Sequence, residues 1–360
     1  MSLAAVRSLG SARRLRTATE LEDFEQELVD QYSLARAASG VTDRTVAGER
    51  QAVCGLIRGA GRPVWAIGTE EVDRYLLGLR RDGLTRLTVH NRAGVFARFF
   101  EFLIARYQGD IHALTGYLVT QPIDEYNRPN SSDYGVARVP PREDEVETLF
   151  AGWRASLPQT RKYLPAARDY LAASLWRRVG LRMTETVMLD IRDWRPDLGE
   201  LGKLHVRFGK GSRGRGPKTR LVPAIDSVGD LLEWWLTDVR YQFGDDYDDP
   251  DAPLLPSERR DPLTGRCARI GDDALRAGLA AVVDRWLPGW TGKLSPHGLR
   301  HYCASTLYGR GMDLKAIQEL LGHAWLSSTT RYVHVLDDHI EQAWEAANQR
   351  VATRLSEPVR

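Results

Sequence analysis

A polar stretch punctuated by prolines, residues 121–141, divides this 360-residue chain into two parts. It holds four prolines and the run Asn130-Ser131-Ser132, a composition typical of a linker because it interrupts helices and strands. The chain is also longer than a typical single domain. The sequence therefore predicts these segments: a basic tail (1–18), a first domain (19–120), the linker (121–141), a second domain (142–336) and a C-terminal helix or tail (337–360).

Apolar residues recur at helical spacing throughout the first domain. In its opening segment they lie three or four positions apart, on one face of a helix, at Leu21, Phe24, Leu28 and Tyr32. A further helix is predicted over residues 42–56, where Thr-Asp can form the cap, and another opens at Thr69. A last one is predicted over residues 88–106. We expect a compact bundle of four or five helices.

The second domain combines helices with one clear strand signal. Residues 204–208 alternate between apolar and polar, and residues 220–222 return after a glycine-rich basic connection, which indicates a β-hairpin. Residues 243–256 are acidic and carry prolines, so we expect an exposed loop there. The predicted fold class is mainly α-helical with a small antiparallel β-sheet in the second domain.

The composition argues against a membrane-spanning or secreted protein. The net charge is +2, with 42% apolar and 27% charged residues, which is ordinary for a globular protein in water. No stretch approaches the roughly 18 apolar residues that a membrane span needs, and residues 1–16 lack the apolar core of a secretory signal. Cys54, Cys267 and Cys303 lie far apart, which argues against a disulfide framework. We expect a cytoplasmic protein with no membrane partner.

A C-terminal stretch concentrates the side chains needed to bind a phosphodiester and attack it. Residues 295–301 read Ser-Pro-His-Gly-Leu-Arg-His, residues 321–323 read Leu-Gly-His, and Tyr332 follows shortly after. Arginine offers a planar, permanently charged fork of donors that matches two phosphate oxygens. A tyrosine hydroxyl can form a covalent phosphoester with the strand that it cuts. Together these residues indicate cleavage of a phosphodiester without a metal.

In this order, the motifs resemble those of the tyrosine recombinases, the Xer and phage-integrase family. The matching motifs are a first-arginine motif (180–185), a lysine hairpin (208–211), a histidine-x-x-arginine box (296–301) and a second-histidine motif (321–323). Tyr332 lies nine positions after His323, which is the spacing of the family's nucleophile. The resemblance covers roughly residues 20–345.

The resemblance implies how the matching residues hold the phosphate. Arg182 and Arg300 bind the non-bridging oxygens of the scissile phosphate and stabilise the charge of the pentavalent transition state. His323 donates a third hydrogen bond to that phosphate. Glu185 supports the arginine or the helix, and His301 beside the second arginine is structural.

The resemblance also implies how the bond is broken. Tyr332 attacks and leaves a 3′-phosphotyrosyl link and a free 5′ hydroxyl. A tyrosine pKa of about 10 leaves only about one hydroxyl in a thousand ionised at neutral pH, and His297 is the family's candidate to accept the proton. Lys210 protonates the departing 5′ oxygen as a general acid, with Lys218 as the alternative. The link conserves the phosphoester energy, so no ATP, metal or other cofactor is implied.

Other basic residues are expected to contact DNA phosphates, which position a protein without reading sequence. These residues are Arg207, Arg213, Arg215, Lys218, Arg220, Arg92 and Arg98. For the two in the first domain, a solvent-exposed helix face is an equal alternative. His297, His301, Cys303 and His323 could instead bind zinc, but they lack a paired Cys-x-x-Cys, so the expected metal content is none.

The family implies a site-specific recombinase whose helical core-binding domain and catalytic domain close around duplex DNA as a C-shaped clamp. Its partners are double-stranded recombination sites and further copies of the chain. The chain is expected as a monomer or dimer on one site and as a homotetramer on paired sites. An accessory protein or a partner recombinase is a possible further partner. The task is integration, excision, transposition of a mobile element, or resolution of DNA dimers.

Two alternatives of function and one of assembly stay open. A type IB topoisomerase or telomere resolvase shares the chemistry, and a catalytically silent accessory protein would bind DNA only. Residues 337–355 continue in a helical pattern around Trp344, and the apolar stripe of this segment must be buried. We expect this segment to dock on a neighbouring subunit, with packing on its own domain as the alternative.

Overall fold

The computed structural model describes residues 14–15, 17–128, 139–209, 218–244, 246–322 and 348. The chain separates into two compact units, residues 1–136 and 137–360, called here the N-terminal and the C-terminal unit. Across the described parts the protein is mainly helical with small antiparallel sheets, which confirms the predicted fold class. None of the described helices is long and apolar enough to cross a membrane.

The described part of the N-terminal unit is built from α-helices: α1 (Ala18–Ala38), α2 (Asp43–Ala60), α3 (Thr69–Arg81) and α4 (Arg86–Thr115). Thr17 starts α1 with a capping box, in which its hydroxyl accepts from the Glu20 N–H and the Glu20 carboxylate accepts from the Thr17 N–H. Helix α4 extends the prediction at both ends, because Thr85 caps it and buried apolar residues continue to Ile111.

Aromatic rings fill the centre of this bundle. Phe96, Phe99 and Phe100 of α4 are fully buried, and Tyr32 of α1 meets Phe99 edge to face with ring centroids 5.1 Å apart. Large rings bury much apolar area each, so these contacts contribute strongly to the packing of the helices.

The described part of the C-terminal unit contains these α-helices: α5 (Glu143–Ser156), α6 (Tyr163–Arg178), α7 (Met183–Val187), α8 (Val228–Trp234), α9 (Asp272–Trp286), α10 (Pro296–Gly309) and α11 (Leu314–Leu321). Helix α6 is buried along most of its length and packs against α10. A helix that is covered on all sides forms the centre of its domain. The residues directly after α6 therefore contact the buried face of α10 in the interior of this unit.

A three-stranded antiparallel sheet consists of β1 (Trp194–Arg195), β2 (Lys203–Gly209) and β3 (Lys218–Pro223), in that order. The register pairs Leu204 with Val222 and Gly209 with Lys218, as expected for the predicted hairpin. The hairpin side chains alternate, so Leu204 and Val222 enter the core.

A second hairpin, β4 (Pro256–Arg260) with β5 (Cys267–Arg269), was not predicted. The expected exposed loop over residues 243–256 is also wrong at its end, where Leu254 and Leu255 are fully buried. The acidic residues that indicated exposure occupy only the middle of that stretch, whereas its apolar end enters the core.

Candidate active site

Helix α10 carries the histidine-x-x-arginine box. Ser295 caps it, since its hydroxyl accepts from the Gly298 N–H at 3.2 Å, and Pro296 occupies the first turn, where a missing N–H costs nothing. His297 is exposed, whereas Arg300, three positions later, is 1% exposed. The same helix thus presents a histidine to solvent and holds a charged arginine in the interior.

The buried Arg300 side chain is paired on several sides. It donates to the carbonyl oxygen of Gly180, just after α6, and at 2.7 Å to that of Leu321, at the end of α11. Its guanidinium also lies 3.9 Å from the Glu185 carboxylate. A buried charge is costly unless it is hydrogen-bonded and paired, and these contacts meet that condition.

Glu185 is the centre of what we call the arginine cluster, formed by Arg182, Arg220, Arg300 and Glu185. Its carboxylate accepts from the Arg182 N–H at 2.9 Å, which closes the first turn of α7, and from Arg182 Nη1 at 2.6 Å. Arg220 of β3 adds a bidentate pair, with Nη1 and Nη2 donating to the two carboxylate oxygens at 2.9 and 2.8 Å. Three guanidiniums surround one carboxylate, which leaves two positive charges in excess.

The surroundings keep Glu185 ionised. Burial by itself would raise the pKa of this carboxyl, but the hydrogen bonds and charge of Arg220, followed by the charge of Arg182, outweigh burial and lower the pKa to about 2. Glu185 is therefore an anion at any physiological pH. It acts as a fixed counter-ion within the cluster and cannot serve as a proton donor.

The same three arginines bind three consecutive carbonyl groups at the C-terminus of α11. The pairs are Arg220 Nε with Leu320 (3.0 Å), Arg300 Nη2 with Leu321 (2.7 Å) and Arg182 Nη2 with Gly322 (3.1 Å). The last carbonyls of a helix lack partners within it and form the negative end of its dipole, so cationic donors there are stabilising. The cluster thereby holds Gly322, the residue that precedes His323 in the sequence.

Two glycines permit this close packing. Gly180 and Gly322 adopt φ angles of 61° and 65°, in the left-handed region that favours glycine. A Cβ at Gly322 would lie 2.8 Å from Nη1 of Arg220, and a Cβ at Gly180 would collide with the Leu321 side chain. The glycines of the first-arginine and second-histidine motifs thus have a structural reason in the cluster.

His297 and His301 form a second polar pair, one turn apart on α10. Their Nε2 atoms are 3.0 Å apart, and their rings meet edge to face with centroids 4.5 Å apart. In such a hydrogen bond one ring must donate and the other accept. The pair lines a cavity of about 380 Å³ together with Trp290 and Lys293. His297 is therefore accessible to a ligand, and His301 is placed to orient its ring.

The lysine hairpin is described only at its base, where Gly209 and Lys218 lie opposite each other. Lys218 is exposed and lies two residues before Arg220, so the strand that carries Arg220 into the arginine cluster also carries one of the two candidate lysines. The predicted site residues outside the described residues are Lys210, Arg213, Arg215, His323 and Tyr332. Apart from residue 348, the predicted docking segment 337–360 is outside them as well.

Arg207 and Arg220, both predicted to contact DNA, are engaged within the protein. Arg207 of β2 donates to the carboxylates of Asp193, at 2.7 Å, and Asp190. These acidic partners are buried, and together they raise the pKa of the Arg207 guanidinium above its ordinary value. No spacing rule connects Glu185 with Arg220, 35 residues later, so sequence reasoning missed this pairing. The contact of both arginines with DNA stays a prediction.

Arg92 and Arg98 lie on α4 of the N-terminal unit. Arg92 lines a cavity of about 380 Å³ and Arg98 lines an adjoining cavity of about 490 Å³, and Asn91 lines both. Arg98 also donates to the buried carboxylate of Glu49 at 2.9 Å. Among the described residues no group of three or more His, Cys, Asp or Glu side chains could hold a metal ion.

The chain matches a known family over most of its C-terminal unit. A sequence profile of the Phage integrase family matches residues 142–339, more than half of the chain, so the protein belongs to this family of tyrosine recombinases. The resemblance inferred from the motifs is thereby confirmed.

Individual relatives have also been identified. The chain is 26% identical over 343 residues to a tyrosine recombinase XerC of Herpetosiphon aurantiacus, covering 93% of this chain and 98% of the relative. It is 34% identical over 184 residues to a tyrosine recombinase XerC of Methylobacterium sp. (strain 4-46), and that match spans 51% of each protein, about half the length of the relative.

Solved structures share the fold at low sequence identity. The TM-score is 0.62 with the XerH site-specific recombinase bound to a palindromic difH substrate, at 19% identity over 91% of this chain and 85% of that one. It is 0.61 with the Tn1549 transposon integrase in complex with transposon right-end DNA, at 17% identity over 90% and 99%. At these identities the likeness shows the fold alone.

Proposed function

We propose that this protein is a site-specific DNA recombinase. It cleaves and rejoins DNA strands through a 3′-phosphotyrosyl intermediate and a Holliday junction, without a metal or ATP. The observation that carries this proposal is the arginine cluster, a built site with two positive charges in excess at the end of α11. Membership of the family supports the reaction class.

The exposure of the arginines indicates how a phosphate would bind. The Arg182 side chain is 22% exposed, compared with 14% for Arg220 and 1% for Arg300. A phosphodiester arriving from solvent would therefore meet Arg182 first, with Arg300 behind it. The excess positive charge matches the negative charge that develops on the oxygens of a pentavalent transition state. Because the guanidiniums are already held by carbonyl groups, little reorganisation is needed when the charge develops.

The nucleophile and the proton transfers are assigned by the motifs. Tyr332 would attack the phosphate, His297 would accept its proton, and His323 would donate a hydrogen bond to a phosphate oxygen. The partner of His297 on α10, His301, supports this role because it can fix which ring nitrogen carries the proton. Lys210 would protonate the 5′ leaving oxygen, with Lys218 as the alternative.

The remaining segments would bind DNA and join subunits. In this proposal residues 19–120 are the core-binding domain, 121–141 the linker and 142–336 the catalytic domain. The two cavities on the N-terminal unit are lined by Arg58, Arg92, Arg98 and Arg128, a basic surface suited to the phosphate backbone of duplex DNA. Residues 337–360 would dock on a neighbouring subunit and link four protomers on two recombination sites.

A nicked suicide substrate tests the proposal. With this DNA the wild-type chain should accumulate a covalent protein–DNA complex, because the released end diffuses away and cannot be rejoined. The Tyr332→Phe variant should bind the same DNA with unchanged affinity and form no complex, since it lacks only the attacking oxygen. A complex formed by this variant would refute the assignment of the nucleophile.

A topoisomerase assay separates the alternatives. Relaxation of supercoiled DNA without strand exchange between two sites would favour a type IB topoisomerase. Tight DNA binding with no covalent complex in the wild type would instead favour an accessory protein and contradict the proposal.

A further inference from the structure

Arg220 joins three elements of the C-terminal unit. It extends from β3, binds both carboxylate oxygens of Glu185 on α7, and donates from Nε to the Leu320 carbonyl at the end of α11. Its side chain is 14% exposed, so most of its surface faces protein. The five N–H groups of a guanidinium lie in one plane. All three nitrogens of Arg220 donate in these contacts.

Arg220 shares its acceptor with Arg182. Arg182 Nη1 lies 2.6 Å from the same Glu185 oxygen, Oε1, that Arg220 Nη1 contacts at 2.9 Å. Arg300 lies 3.9 Å from the other oxygen, Oε2. A bidentate arginine–carboxylate pair is the strongest arrangement available to these groups. If Arg220 were absent, each Glu185 oxygen would lose one donor and keep one from Arg182. Arg182 could then turn its own fork onto the carboxylate and away from a ligand.

We propose that Arg220, which the sequence predicted to contact DNA, is instead a positioning residue for DNA cleavage that does not contact the DNA itself. It satisfies the Glu185 carboxylate on both oxygens, so that the donors of Arg182 that neither Glu185 nor Gly322 engages stay directed to the scissile phosphate. It also connects β3, the second strand of the lysine hairpin, to the end of α11. This inference rests on the proposed function, because the phosphate is the substrate group named there.

A double-mutant cycle tests the inference. The rate of covalent complex formation on the suicide substrate is measured for wild type, Arg220→Gln, Glu185→Gln and the double variant, with DNA affinity measured in parallel. Arg220→Gln should slow cleavage by about 100-fold, the size of loss expected when a preorganised donor is misplaced. In the double variant the carboxylate that captures Arg182 is gone, so cleavage should recover about tenfold or more over Arg220→Gln. DNA affinity should change little.

Equal rates for Arg220→Gln and the double variant would overturn the inference, since they would mean that Arg220 acts on the DNA directly or only supports the fold. Arg220→Lys keeps the charge but loses the fork and should be intermediate. Arg240→Lys is the matched control, because Arg240 is a buried arginine paired with Asp246 at 3.0 Å that shares no partner with the cluster. Its cleavage rate should stay near that of wild type.

A binding measurement distinguishes failure of this inference from failure of the proposed function. Inorganic phosphate is the probe, and its protection of Arg182 from phenylglyoxal is followed by mass spectrometry. Protection should be present in the wild type, weakened about tenfold in Arg220→Gln and restored in the double variant, whether or not DNA is cleaved. Protection that stays weak in the double variant would contradict the role of Arg220.

Discussion

Removal of the Glu185 charge should destabilise the C-terminal unit strongly. Glu185→Gln keeps the size of the side chain but leaves three guanidiniums without their shared counter-ion. The fall of the Glu185 pKa from an ordinary 4.5 to about 2 corresponds to about 3 kcal/mol of folding free energy, at about 1.4 kcal/mol per pKa unit. Because the carboxylate is 2% exposed, solvent screening reduces this figure little. Breaking a buried ion pair on one side costs a similar amount, about 3–5 kcal/mol.

The pH dependence gives the sign of the effect. The folded state holds Glu185 as an anion, so its contribution is fully present above about pH 4.5 and is lost as the pH falls toward 2. The free energy of unfolding of the wild type should therefore exceed that of Glu185→Gln by about 3 kcal/mol near pH 7. That difference should shrink steadily below about pH 4.5.

Urea unfolding of the full chain at several pH values measures this difference. Tryptophan fluorescence reports mainly on the C-terminal unit, because nine of the ten tryptophans follow residue 137. Glu145→Gln is the control: Glu145 also closes the first turn of its helix, accepting from the Arg142 N–H at 2.8 Å, but lies outside the arginine cluster. It should cost at most about 1 kcal/mol. A wild-type advantage over Glu185→Gln that is below 1 kcal/mol, or that does not change with pH, would refute the reasoning.

Further predictions concern the proton transfers and assembly. Lys210→Ala should slow cleavage of ordinary DNA and be rescued by a 5′-phosphorothiolate leaving group, which needs no proton; rescue of Lys218→Ala instead would reassign the general acid. His301→Leu should slow cleavage about 10–100-fold at unchanged DNA affinity while His301→Gln, which can still hydrogen-bond His297, retains most of the rate; equal rates for the two variants would show a packing role only. Deletion of residues 338–360 should leave single-site binding intact and impair tetramer formation on paired sites, whereas normal tetramers would refute docking in trans and an unfolded product would favour docking in cis.

Local signals in the sequence predicted much of the fold because their causes are local. Apolar residues at helical spacing predicted the helices of the N-terminal unit, because side chains three or four positions apart lie on one helix face. The cap predicted at Thr42 is wrong in detail: α2 begins there, but the Thr42 side chain makes no capping hydrogen bond. The β2–β3 hairpin follows from alternating side chains around a glycine-rich connection. The β4–β5 hairpin was missed because its strands are short and polar, with charged residues at Glu258 and Arg260 that give no alternation.

The candidate site shows the limit of the same reasoning. The motifs identified Arg182 and Arg300, and the structure brings both to Glu185. The pairing of Arg220 with Glu185 and with Leu320, 100 residues later, depends on how β3 and α11 pack. Long-range pairings of this kind leave no periodic signal, so Arg220 was interpreted only as one basic residue of a hairpin.

Identification of the residue that becomes attached to DNA tests the central claim most directly. The covalent complex formed on a suicide substrate is digested with protease and nuclease, and the nucleotide-bearing peptide is sequenced by mass spectrometry. We predict a phosphotyrosyl link between Tyr332 and the 3′ end of the cleaved strand. A link to another residue, a link to the 5′ end, or cleaved DNA with no attached peptide would contradict the account.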